Sequence, residues 1–209
     1  MPRTVSEDPR VARRRARMES VLAAAWAIAR EEGLAAVSLH EVARRVGLRQ
    51  PSLYAYVDSK AGLYDAMFAQ AAGELLEQVT TATYSPSPRV AVAEATRRIV
   101  QFAAGADTAR FQLLFLRTVP GFEPRPESYA LSVQLWEWLV ERLRAAGMHD
   151  PADVDLYTAL VVGLLVQQTS NEPAGDRWTR HLDAVLAMFF DHLDLGTGRG
   201  PTRPAKDQR

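Results

Sequence analysis

Between Ser38 and Val57 the apolar residues recur at helical spacing in two runs, each about two turns long, with Gly47 set between them. Helices that short are marginal in water, so they must pack on one another and on a longer neighbour. Ser38-Leu39-His40-Glu41 opens the first run as a capping box, Ser38 accepting from the Glu41 amide and Glu41 reaching back. Its inward face is Leu39, Val42, Ala43 and Val46. Gly47 supplies the left-handed backbone of a sharp turn, where any Cβ is penalised. The second run, roughly Gln50 to Tyr56, turns Leu53 and Val57 inward.

The rest of the chain is also helical in pattern. Met18, Val21, Leu22, Ala25, Ile28 and Ala29 form one stripe, ended by Gly33. Asp58-Ser59-Lys60 caps a helix running to about Thr81, and Pro88 suits the first turn of the next, which ends near Gly105. Asp107 or Thr108 opens another to about Thr118, and the Pro120–Pro126 stretch is a loop. Three longer helices follow, over about 127–146, from Asp150-Pro151 to about Ser170, and from Asp176 to about Leu193. Strand alternation and hairpin turns are scarce. The expected fold is all-α, with about nine helices. The expected organisation is a basic flexible arm over 1–17, a helix-turn-helix domain over 18–66, a helical body over 67–195 and a disordered Gly/Pro-rich tail over 196–209.

Composition narrows the function classes. The 209 residues include no Cys, which excludes disulfides, zinc–thiolate sites and thiol nucleophiles. The zero net charge conceals a division: residues 1–66 carry +3, residues 67–195 carry −6 and the tail +3. A basic head on an acidic body suits a head that meets a polyanion. Only Lys60 and Lys206 are lysines among the 25 cationic residues, which makes Lys60 conspicuous in the head. No apolar leader and no membrane-length apolar run is visible, so a soluble, cytoplasmic protein with no membrane partner is expected.

Packing of Val42, Val46, Leu48 and Leu53 leaves Arg49, Gln50, Ser52, Ala55 and Tyr56 on the outer side of the second short helix. Such a helix can enter a major groove, where Gln pairs with adenine, Arg with guanine and Ser with several partners. A bare helical hairpin can share this pattern. The run Ser38-Leu-His-Glu-Val-Ala43, then Gly47-Leu-Arg-Gln-Pro-Ser-Leu-Tyr54, then Tyr56-Val57, Lys60 and Leu63, is more specific. Over about Met18 to Phe68 the chain resembles the tetracycline-repressor (TetR) family of regulators.

The resemblance implies that Gln50, Pro51 and Ser52 touch bases, that Arg49 reaches a base or phosphate, and that His40 also meets bases. It implies that Ser38, Tyr54, Tyr56 and Lys60 hold phosphates and set register. Two positions depart from the family pattern: Tyr56 stands where His is commoner, and Val57 replaces the usual Phe. The arginines from Arg10 to Arg17 are either a solvated helix face or sequence-independent DNA contacts, the second being expected.

For the body the resemblance implies ligand binding and dimerisation. The last two helices are apolar round much of their circumference, through Val154, Leu156, Leu160, Leu164, Trp178, Leu186 and Phe189 among others, as a homodimer interface requires. A single larger core is the alternative. Phe102, Phe111, Phe115 and Trp136 are candidates to line an apolar pocket for a small hydrophobic or aromatic effector, with Gln167 among the polar candidates. No metal-ligand spacing, phosphate loop or nucleophile elbow is present, so no metal, cofactor or catalysis is expected. The expected partners are double-stranded operator DNA, the effector and a second copy of the chain. The expected function is that of a ligand-responsive regulator, most simply a repressor. A ligand-binding protein without DNA affinity and a small helical enzyme are the rivals.

Overall fold

The computed structural model describes residues 8–104 and 108–197. Among these residues there are nine α-helices, two single 3-10 turns and no strand. In chain order the helices are α1 (Pro9–Glu32), α2 (Leu39–Arg45), α3 (Gln50–Leu53), α4 (Lys60–Thr80), α5 (Pro88–Ala104), α6 (Thr108–Phe115), α7 (Pro126–Ala145), α8 (Pro151–Asn171) and α9 (Leu182–Thr197). No helix among the described residues is long and apolar enough to cross a membrane.

The chain forms two compact units. The first takes the described residues of Met1–Glu77 and Asp107–Leu135, so α6 and the first half of α7 join the helix-turn-helix rather than the segment expected as the body. Its core brings together Val21, Trp26 and Ile28 of α1, Val42 of α2, Leu53 of α3, Leu63, Met67 and Leu75 of α4, and Phe111 of α6. The Trp26 indole N–H donates to Gln70 Oε1 at 2.9 Å, and the Arg110 guanidinium lies 5.1 Å above the Trp26 ring while pairing with Glu74. Aromatic burial here therefore comes with a satisfied polar edge and a cation on the ring face.

The second unit takes the described residues of Gln78–Ala106 and Trp136–Arg209, with α5, α8 and α9 packed on one another. Its core includes Val92 and Ile99 of α5, Leu143 of α7, Met148 in the turn before α8, Tyr157, Val161 and Leu165 of α8, and Leu186 and Phe189 of α9. Thr96 Oγ1 donates to the Val92 carbonyl and lies 2.6 Å from the Tyr157 hydroxyl, which joins α5 to α8 through a buried polar contact. Salt bridges Arg89–Asp194 and Arg97–Asp183 add two exposed links between α5 and α9.

Three element boundaries differ from the sequence expectation. The apolar stripe places the start of α1 near Met18, whereas Asp8 caps it at Pro9, its carboxylate accepting from the Arg10 amide at 2.8 Å. Residues 9–17 of the expected flexible arm are therefore the first turns of a helix. The second short run ends its helix at Leu53 and continues as a turn through Tyr56. Asp176 does not open α9. The Gln168 side chain, fully buried, accepts from the Trp178 amide at 2.8 Å and donates to the Glu172 carbonyl, holding the connector in turns until Leu182. Residues 1–7 of the arm and 198–209 of the tail lie outside the described residues.

Candidate nucleic-acid interface

The helix-turn-helix is assembled by local chemistry. Ser38 adopts the extended cap conformation and its Oγ accepts from the Glu41 amide at 3.2 Å. Glu41 does not reach back to close the box. Its carboxylate is bonded by Arg44 at 2.8 Å and by Arg45 at 3.2 Å, and those guanidiniums, Arg44 first, hold its carboxyl down at about 2. Arg45 also pairs with Glu31 and Glu32, which pins α2 to the end of α1.

At the C-terminus of α2 the Leu48 amide donates to Ala43 O at 2.9 Å and the Gly47 amide to Arg44 O at 3.3 Å, with Gly47 at φ +67°. These are the two bonds of a Schellman turn, which needs a left-handed residue between them. The chain leaves this turn through extended Arg49 and enters α3 with Pro51 in its first turn. Leu53 and Val57 are buried beneath α3.

The nine residues expected to meet DNA are placed as follows. Arg49, Gln50, Pro51, Ser52 and Tyr54 are all exposed, Tyr54 at 51%, and occupy α3 and its two flanks. His40, in the first turn of α2, is exposed as well, while Ser38 and Tyr56 are half-buried. Lys60, exposed at the start of α4, donates from Nζ to the Ala35 carbonyl at 3.3 Å and sits 5.6 Å from the Tyr64 ring. Tyr64 in turn donates to the Leu34 carbonyl at 2.6 Å. Lys60 thus has a protein partner at the 3-10 turn Leu34–Ala36 in addition to its expected phosphate role.

One feature of this face escaped the residue pattern. Arg14, in the early turns of α1, donates to the Ala55 carbonyl at 2.9 Å, and its guanidinium lies 5.8 Å from the Tyr56 ring. Arg10, Arg13, Arg14, Ala55 and Tyr56 line an open cleft of about 400 Å³. The Asp8-Pro9 pair is a helix-start signal that would have put these arginines on a helix.

The body candidates separate. Phe111 is fully buried in the first unit with the Phe115 ring 5.6 Å away, and Phe115 itself is partly exposed. Phe102, Trp136 and Gln167 belong to the second unit. There Trp136 is 44% exposed and Gln167 is exposed, accepting from Asn171 at 2.9 Å.

An exposed helix carrying Arg, Gln and Ser over a buried Leu53, held by a glycine turn after α2, has the build of a helix-turn-helix whose second helix can enter a DNA groove. Residues 21–67 match the family described as bacterial regulatory proteins, tetR family. No curated protein sequence matches it. Among solved structures it is similar to the TetR family transcriptional regulator PfmR from Thermus thermophilus, at 18% identity and TM-score 0.62, covering 86% of this chain and 99% of that one. It is similar to BioQ with its double-stranded DNA operator, at 21% identity and TM-score 0.59, covering 85% and 98%. A TetR variant from Acinetobacter baumannii AYE in complex with minocycline matches at 20% identity and TM-score 0.53, covering 84% and 93%. Identities this low speak for the fold.

Proposed function

We propose that this chain is a cytoplasmic, ligand-responsive transcriptional repressor that binds a pseudo-palindromic operator as a homodimer and is released by a small hydrophobic or aromatic effector. The observation that carries the reading is the joint exposure of Arg49, Gln50, Pro51, Ser52 and Tyr54 on and around α3. In this reading Gln50, Pro51 and Ser52 read base edges, with Arg49 and His40 beside them. Ser38, Tyr54, Tyr56 and Lys60 hold the backbone. BioQ, with a similar fold, is known with its DNA operator, which supports the DNA half of the reading.

The dimer reading is supported by a second face on the last two helices. On α8, Tyr157, Val161 and Leu165 are buried, while Leu156 and Leu160, on an adjoining face, are 41% and 37% exposed. On α9, Met188 and Leu195 are 72% and 76% exposed. Two such faces meeting their copies would bury apolar surface that the single chain leaves in water. Gln167 shares the exposed face of α8 with Leu156 and Leu160, the face this reading gives to the second copy, which leaves Phe102, Phe111, Phe115 and Trp136 as the ligand candidates.

Effector binding releases DNA only if the effector prefers a dimer whose heads do not match the operator spacing. No catalytic step is part of this function. Selection of genomic fragments by the purified protein, followed by footprinting, tests it. Protection of two half-sites related by a dyad is expected, and a single unpaired half-site would overturn the homodimer reading.

A further inference from the structure

α3 is four residues long, and a helix of that length has no stability of its own. What anchors it therefore decides the angle at which Gln50 and Ser52 are presented. Its entry is fixed by the Schellman turn at Gly47, and its underside by Leu53 and Val57. Beyond Leu53 the backbone goes on as a turn, with the Tyr56 and Val57 amides both donating to Leu53 O, at 2.9 and 3.1 Å. Carbonyls at such an end lack partners within the helix. The Ala55 carbonyl receives one from outside, Arg14 Nη2 of α1 at 2.9 Å, with the guanidinium beside the Tyr56 ring. A charged donor makes the stronger kind of hydrogen bond.

We propose that Arg14 is a positioning residue for DNA readout: by bonding the Ala55 carbonyl from α1 it sets the orientation of α3, instead of neutralising a phosphate. This rests on the DNA-binding reading above. The arginine run is thereby divided by role. Arg15 pairs with Glu19 at 3.8 Å, and Arg13 Nε bonds Pro9 O of its own helix at 3.1 Å. Arg10, Arg13 and Arg14 all line the cleft, and Arg14 bonds the turn that follows α3. The extension of α1 back to Pro9 is what brings this side chain within reach.

The test uses the full chain, its Arg14→Met, Arg14→Lys and Arg13→Ala variants, and a duplex selected by the wild-type protein from a random-sequence library, with scrambled duplex for comparison. Arg14→Met is expected to lower the selected-to-scrambled affinity ratio by about tenfold, the scale of one charge-assisted hydrogen bond, with the salt dependence unchanged. Arg14→Lys, which still offers a charged donor, restores most of the ratio. Arg13→Ala lowers the salt slope by about one and leaves the ratio alone. Without DNA, Arg14→Met speeds amide exchange at Tyr56 and Val57. A salt slope reduced by about one in Arg14→Met, with the ratio intact, would make Arg14 a phosphate contact and overturn the proposal. Unchanged exchange at Tyr56 and Val57 would overturn it as well, since the turn would then not depend on Arg14. Failure of the wild-type protein to select any duplex would sink the DNA-binding reading itself, while the exchange rates still decide whether Arg14 holds the turn.

Discussion

The Asp65 carboxylate on α4 accepts a hydrogen bond from the backbone N–H of Arg125 at 2.7 Å. Its other oxygen takes the Ser128 hydroxyl at 3.0 Å, and Asp65 is only 8% exposed. Phe122 packs nearby, its ring 5.7 Å from Tyr64 and 6.4 Å from Phe68. The Arg125 guanidinium pairs with Asp58 and holds that carboxyl below the usual carboxylate range. One buried carboxylate thus fastens the segment before α7 to α4 inside the first unit, and it is tolerated because both oxygens are occupied.

Asp65→Ala leaves the Arg125 amide and the Ser128 hydroxyl without their acceptor, so it is expected to cost about 2 kcal/mol of stability. Asp65→Asn keeps one acceptor oxygen and costs less. Urea denaturation checks this, and a wild-type midpoint for Asp65→Ala would show that water replaces the carboxylate without penalty.

Gly47 sits at φ +67°, where a Cβ is disfavoured, although no atom lies within 4 Å of the place one would occupy. Gly47→Ala is therefore expected to cost about 1 kcal/mol through backbone strain alone. Its melting temperature should fall by a few degrees while the folded helix content stays the same. A melting temperature equal to that of wild type would contradict the strain assignment.

Burial pushes the Tyr157 hydroxyl up to about 12. An unfolded Tyr ionises near about 10. The folded chain therefore holds the proton that the unfolded chain releases. The stabilisation is intact below about pH 10 and is lost as pH rises toward about 12, at up to about 1.4 kcal/mol per unit. Tyr157→Phe should start lower by about 1 kcal/mol, for the lost bond to Thr96, and then lose less over that window. Parallel alkaline stability curves for the two proteins would contradict the assignment.

Much of this architecture is legible in the chain because it is local. Ser38, Asp150 and the Gly47 and Gly147 turns sit where capping chemistry puts them. The start of α1 lies beyond the reach of apolar periodicity, since Arg10 to Arg17 carry no apolar stripe, and the Asp8-Pro9 cap is the signal that marks it. The start of α9 was hidden because Gln168, ten residues before Trp178, decides it. The contacts of Asp65 with Arg125 and of Arg14 with Ala55 join residues far apart in sequence, and no spacing rule reaches across such distances. The exposed set on α3 was legible, since burying Leu53 and Val57 leaves its neighbours outside.

Gln50 and Lys60 should fail in different ways. Gln50→Ala is expected to cost about 1–3 kcal/mol on the preferred duplex and little on random DNA, as a base contact does. Lys60→Ala is expected to weaken both duplexes alike and to lower the salt slope by about one. Competition binding at several salt concentrations separates them. Equal loss on both duplexes for Gln50→Ala would remove it from base reading. A lower melting temperature with an unchanged salt slope for Lys60→Ala would leave only its bond to the Ala35 carbonyl.

The central claim is that the α3 face reads DNA sequence. Its most direct test is a fluorescence-anisotropy titration of the purified protein against DNA flanking its own gene, with random duplex as competitor. Saturable binding that survives a large excess of competitor, and weakens steeply as salt is raised, is the predicted result. Binding that the competitor abolishes at every salt concentration would contradict the claim.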